Sequence, residues 1–122
     1  MKTLIIDDSK FQRVAIQRAL VRAGHDVTTA GDGEEGLRVA SAAQPDLIIL
    51  DMLLPKVSGI EVLRSLRREA KTRAVPVIVL TGLSEKNKEK LIAEGATAFM
   101  EKSMALSNGD CGALIDAIGR LS

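Results

Sequence analysis

Leu47-Ile48-Ile49-Leu50-Asp51 is the stretch whose reading decides the fold. Four consecutive apolar residues read as a strand buried on both faces, as inside a parallel sheet, and the run stops on a carboxylate. Pro55 and Gly59 follow, so the chain turns sharply just past the acid. A buried strand that carries one Asp to its carboxyl end sets it where open α/β sheets gather their ligands. Asp51 is therefore the expected functional centre.

Working outward, the other strands end in the same way. Thr3–Ile6 runs into Asp7 and Asp8, Val75–Leu80 into Thr81 and Gly82, and Thr97–Met100 stops near Lys102. Asp26–Ala30 is weaker and alternating, as an edge strand would be. Between them lie helical patterns. Ser9 and Gln12 form a capping box ahead of Phe11, Val14, Ala15 and Leu20, with Gly24 as the stop. Asp32-Gly33-Glu34-Glu35 opens a second helix containing Leu37, Val39 and Ala40, which ends before Pro45. Ser58 and Glu61 cap a third with Ile60, Val62, Leu63 and Leu66 inward. Ser84 caps a charged fourth helix, Glu85 to Glu94, and Cys111, Leu114, Ile115, Ile118 and Leu121 mark a fifth. Five strands alternating with five helices predict one α/β domain over residues 1–122, a parallel sheet covered on both faces.

Composition narrows the function. Seventeen basic residues against sixteen acidic give a net charge of +1, so no global field draws the chain to nucleic acid or membrane. Phe11 and Phe99 are the only aromatics, too few for a base-stacking platform or for flavin cover. No apolar run approaches the ~20 residues that span a bilayer, and no charged-then-apolar leader opens the chain. A single Cys111 excludes an internal disulfide and fits a cytoplasmic location. It reads as a small core residue, and His25 receives no role.

In a parallel sheet the four polar strand ends share one edge, so Asp7, Asp8, Asp51, Thr81 and Lys102 can converge. Three carboxylates in one place resist joint ionisation. A hard divalent cation such as Mg2+ relieves that repulsion, taking one or two carboxylates together with waters and a phosphate. Lys102 adds a cation for a phosphoryl oxygen and Thr81 a hydroxyl for another, leaving Asp51 as nucleophile for an acyl phosphate.

Asp7-Asp8, Asp51, Pro55 with Gly59, Thr81-Gly82 and Lys102 together resemble the signature of the receiver domains of two-component response regulators, over essentially the whole chain. The resemblance implies a flavodoxin-like (βα)5 fold with strand order 2-1-3-4-5. It implies that Asp51 accepts a phosphoryl group from a sensor histidine kinase or a histidine phosphotransfer protein. Asp8 and Asp51 would bind Mg2+, with the carbonyl of Leu53 as a third ligand and Asp7 acting through water. Thr81 and Phe99 would be the switch pair, and the face of the fourth helix, fifth strand and fifth helix would carry the signal to a protein target, with a phosphorylation-dependent homodimer left open. Such a domain is not an enzyme for other substrates; it catalyses only its own phosphorylation and dephosphorylation.

The chain departs from the family pattern in three ways. Ser103 stands where the family usually has a cis-joined proline; a cis bond before a non-proline residue costs roughly 2.5–4 kcal/mol, which favours a trans Lys102–Ser103 bond and a reshaped loop to Gly109. In the family the positions of Leu53 and Leu83 border the path of the hydrolytic water, and two leucines there are expected to prolong the phosphorylated state. Phe99 lacks the hydroxyl of the frequent tyrosine.

Rival functions leave marks that can be checked. An FMN site would need a phosphate loop after the first strand, where Asp7 and Asp8 repel phosphate. A haloacid-dehalogenase phosphatase pattern needs a second Asp where Leu53 stands. A protein-binding scaffold independent of phosphorylation, or a receiver cut from a larger regulator with its own output domain, are the alternatives kept. Nothing helix-turn-helix-like lies within the chain, and the bases of the third and fourth helices (Arg64, Arg67, Arg68, Lys71, Arg73, Lys86, Lys88, Lys90) read as solvated faces.

Overall fold

In the computed structural model, which describes residues 1–52, 54, 57–82, 88–106 and 111–121, five strands form one parallel sheet. They are β1 (Lys2–Ile6), β2 (Asp26–Ala30), β3 (Leu47–Asp51), β4 (Val77–Thr81) and β5 (Ala98–Glu101), in the expected order β2-β1-β3-β4-β5. Between and after them run α1 (Lys10–Arg22), α2 (Gly33–Ala43), α3 (Gly59–Arg68), α4 (Lys88–Ala93), α5 (Lys102–Ala105) and α6 (Gly112–Leu121).

The strand period of two distributes the core. Leu4, Ile6, Ile48, Leu50, Val77 and Val79 join Ala40, Val62, Leu63, Leu66 and Leu91 on one face of the sheet. Ile5, Leu47, Ile49, Ile78 and Leu80 face the other way, against Ile16, Ala19, Leu20, Leu114 and Ile118. Every residue of β3 and of β4 is buried, which is why these stretches show no alternation in sequence. Burying each such side chain is worth about 1.5–3 kcal/mol, so the two central strands anchor the fold.

The caps fall where the sequence puts them. Ser9, Asp32 and Ser58 accept from the amides of Gln12, Glu35 and Glu61. Gly24, at φ 96°, ends α1 in a left-handed conformation that costs a glycine little.

Four readings are corrected. Phe11 does not belong to the buried stripe of α1; it is 85% exposed, and Ile16, Ala19 and Leu20 fill the core instead. Pro76 precedes β4, which begins at Val77, and β5 is displaced by one residue to Ala98–Glu101. A sixth helix, the four-residue α5, begins at Lys102. Arg67 is not a solvated residue: its guanidinium donates to the carbonyls of Gly95, Arg73 and Val75 at 2.9, 3.1 and 2.7 Å. Arg64 forks onto Glu94 at 2.6 and 2.7 Å. The start of the fourth helix, with Ser84, lies outside the described residues.

Candidate functional site

Parallel register brings the strand ends together. Ile6 lies opposite Leu50, Asp51 opposite Leu80 and Thr81 opposite Glu101, so the next residues along β1 and β5 are Asp7 and Lys102. A carboxylate oxygen from each of Asp7, Asp8 and Asp51 lies within 4.8 Å of the others. Asp7 and Asp51 are each 1% exposed, whereas Asp8 is open to solvent. The turn just after Asp51 is pulled tight by α3: the Gly59 amide donates to the Met52 carbonyl at 3.3 Å, and a Cβ on Gly59 would sit 2.8 Å from the Met52 backbone.

Asp7 is the strained member of the group. Its Oδ1 accepts from the Ser9 amide at 2.9 Å, but Oδ2 is buried with no hydrogen-bond partner. Burial pushes its pKa from 3.8 up to about 6, with the Asp51 charge adding to the rise and the Ser9 amide and Lys102 opposing it. An orphaned, desolvated carboxylate oxygen beside two further carboxylates is a donor set that fits a hard divalent cation.

Lys102 reaches this group from the residue directly after β5. Its Nζ donates to Asp51 Oδ2 at 2.9 Å, in a pair that is 20% exposed on the lysine side and 1% on the aspartate side. The described residues contain no cis peptide bond, so Lys102–Ser103 is trans. The chain turns directly into α5, where the Leu106 amide donates to the Lys102 carbonyl at 2.9 Å. The departure at Ser103 thus coexists with a lysine that still meets Asp51. Residues 107–109 of the expected loop lie outside the described residues.

Thr81 is buried at the end of β4. Phe99 is half-buried on β5 and packs against the Val77–Val79 side of the core. Leu53, Leu83 and Pro55 lie outside the described residues. Sequence reading missed Arg13, whose Nη1 donates to the Asp7 carbonyl at 2.8 Å. An arginine inside a helical pattern carries no signal that it will turn back on the preceding loop.

Comparison with known proteins agrees with this geometry. A family profile for the response regulator receiver domain matches residues 3–109. The alkaline phosphatase synthesis transcriptional regulatory protein PhoP of Bacillus subtilis is 42% identical over 102 residues, covering 83% of this chain and 42% of its own. The chain therefore spans about two-fifths of the length of that curated relative. Protein PilH of Pseudomonas aeruginosa is 34% identical over 66% of each chain. Among solved structures, chemotaxis response regulator CheY4 of Vibrio cholerae superposes with a TM-score of 0.89 at 32% identity, over 99% of this chain and 98% of that one. The receiver domain of sensor histidine kinase PA1611 from Pseudomonas aeruginosa, described with a magnesium ion coordinated in its active-site cleft, gives 0.84 at 26% identity, over 98% and 94%.

Proposed function

The chain belongs to the response regulator receiver family, and from that premise we propose that it is switched by transfer of a phosphoryl group to Asp51. The observation that carries this reading is the Lys102–Asp51 contact at 2.9 Å beside the Asp7–Asp8–Asp51 cluster. The donor is a phosphohistidine on a sensor histidine kinase or a phosphotransfer protein. An Asp51 carboxylate oxygen attacks phosphorus, the P–N bond breaks, and the imidazole leaves with its electron pair and takes up a proton. Lys102 passes from the carboxylate to a phosphoryl oxygen as charge builds there. The Thr81 hydroxyl donates to another phosphoryl oxygen, and Phe99 follows it inward, altering the face made by α4, β5 and α6.

Asp8 and Asp51 would hold Mg2+, with the Leu53 carbonyl, and Asp7 would act on it through water. When bound, the cation neutralises the carboxylates and the transferring phosphoryl oxygens. Residues 1–122 act as one receiver unit, and its output is contact with a protein target at the α4–β5–α6 face, where Ile92 is 46% exposed. Nothing in the charge or the helices points to direct contact with nucleic acid, and no described helix is long and apolar enough to cross a membrane.

The test is intact mass after incubation with Mg2+ and acetyl phosphate, with Asp51→Asn in parallel. A gain of one phosphoryl group by the parent and none by the variant is expected. No gain in a parent that binds Mg2+ would instead favour a scaffold independent of phosphorylation.

A further inference from the structure

Arg13 joins three segments that the acidic cleft depends on. Its own amide donates to the Ser9 carbonyl in the first turn of α1. Its guanidinium Nη1 turns back to the Asp7 carbonyl at 2.8 Å, and a Cβ on Gly31, in the connection after β2, would sit 3.4 Å from Nη1 and 3.9 Å from Cζ. Among the described residues Arg13 makes no ion pair, so a partly buried cation is engaged on a backbone carbonyl rather than on an acid.

The effect falls on Asp7. Its amide donates to the Ala30 carbonyl at 3.1 Å, its Oδ1 accepts from Ser9, and its carbonyl accepts from Arg13. Oδ2 alone has no partner. The main chain is tied on both sides and Oδ1 is held by the Ser9 amide, which together hold the carboxylate beside its neighbours. The unsatisfied acceptor is thereby kept in the cleft.

Resting on the metal reading given above, we propose that Arg13 is a positioning residue for the divalent-cation site, presetting Asp7 and the Asp7–Asp8 turn through the Asp7 carbonyl. Groups that orient the donors of a metal site are worth about 10–100-fold in affinity. Arg13 acts less directly, through the main chain of a residue that would meet the cation through water, so an effect of about 3–10-fold is expected.

Two influences of this guanidinium have opposite signs, which makes the proposal testable. As a charge, Arg13 repels a cation, and its removal strengthens Mg2+ binding. As a positioner it preorganises the donors, and its removal weakens binding. Calorimetric titration of parent, Arg13→Met and Arg13→Lys with Mg2+ alone separates them, with metal-free melting curves recorded alongside. The expected result is a Kd raised about 3–10-fold in Arg13→Met and raised less in Arg13→Lys, which keeps the charge and one donor. Should Arg13→Met fail to fold, a weaker Kd in Arg13→Lys carries the same conclusion, because charge is constant there. A Kd unchanged or lowered in a folded Arg13→Met, or unchanged in Arg13→Lys when only that variant folds, overturns the proposal; a lowered metal-free melting temperature with unchanged Kd marks a merely structural arginine. Asp8→Asn guards the premise: equal Mg2+ binding by parent and Asp8→Asn would overturn the metal reading itself, and the role of Arg13 with it.

Discussion

Lys102 and Asp51, 51 residues apart in sequence, meet at 2.9 Å between Nζ and Oδ2 with the carboxylate almost wholly buried. A buried carboxylate that loses its cation keeps its desolvation cost without the ion pair that offset it. Lys102→Met is therefore expected to lower the stability of the metal-free protein by about 1–3 kcal/mol at neutral pH. Adding Asp51→Asn removes the stranded charge, so the double variant should recover part of the loss. Urea unfolding of the four proteins in the cycle measures the coupling. Additive losses would show that the contact contributes nothing.

Much of this site was legible because its residues end strands whose apolar runs are unmistakable. Leu47–Leu50 and Val77–Leu80 have no polar face to hide, and once they lie in one parallel sheet the acids, Thr81 and Lys102 must share an edge. The helix starts at Ser9 and Ser58 were equally plain, because each side chain acts on an amide only three residues away. What sequence hid were contacts set by tertiary position. Phe11 sits at a helical spacing that suits the core, yet the ring is exposed and Ile16, Ala19 and Leu20 supply the buried face of α1. Arg67 sits in a run of bases, and only the folded chain brings three carbonyls to its guanidinium. Arg13 is hidden for the same reason.

The raised pKa of Asp7 fixes a pH dependence. Its carboxyl titrates at about 6 in the fold against 3.8 as the ordinary value, so the native state binds more protons than the unfolded chain between those values. Stability of the metal-free protein should fall as pH rises from about 4 through about 6, then level off. Asp7→Asn should flatten that segment and be the more stable protein above it. Mg2+ should behave oppositely, binding more weakly as pH drops below about 6 because each cation must displace a proton. Denaturant unfolding in a chelator across this range tests the first part. Parallel profiles for parent and Asp7→Asn would refute it.

Arg67 is expected to matter for stability where Arg64 does not. The Arg67 side chain ties the end of α3 to the segment before β4 and to the α4–β5 turn, and burial holds its pKa below the usual guanidinium value. Lysine cannot reproduce the fork, so Arg67→Lys should cost about 1.5–3 kcal/mol. Arg64 and Glu94 pair at the surface, where half of the arginine side chain is exposed, and Arg64→Ala should leave unfolding by urea essentially unchanged. Equal stability for Arg67→Lys and the parent would show that the carbonyls are satisfied without it.

Gly59 should be intolerant of even one methyl group. Alanine there would place its Cβ 2.8 Å from both Cα and O of Met52, backbone atoms that cannot swing aside as a side chain would. The chain must then shift at the residue directly after Asp51, so Gly59→Ala is expected to lose about 1–3 kcal/mol of stability and to bind Mg2+ more weakly. Gly119 provides the contrast within α6, since a Cβ there meets nothing within 4 Å. Gly119→Ala should gain about 0.5–1 kcal/mol from helix propensity and leave Mg2+ affinity alone. Thermal melts and Mg2+ titrations of the two variants decide the matter. A Gly59→Ala protein as stable as the parent, with the parent's affinity, would mean that the turn after Asp51 yields without cost and that its tight packing does not position the acid.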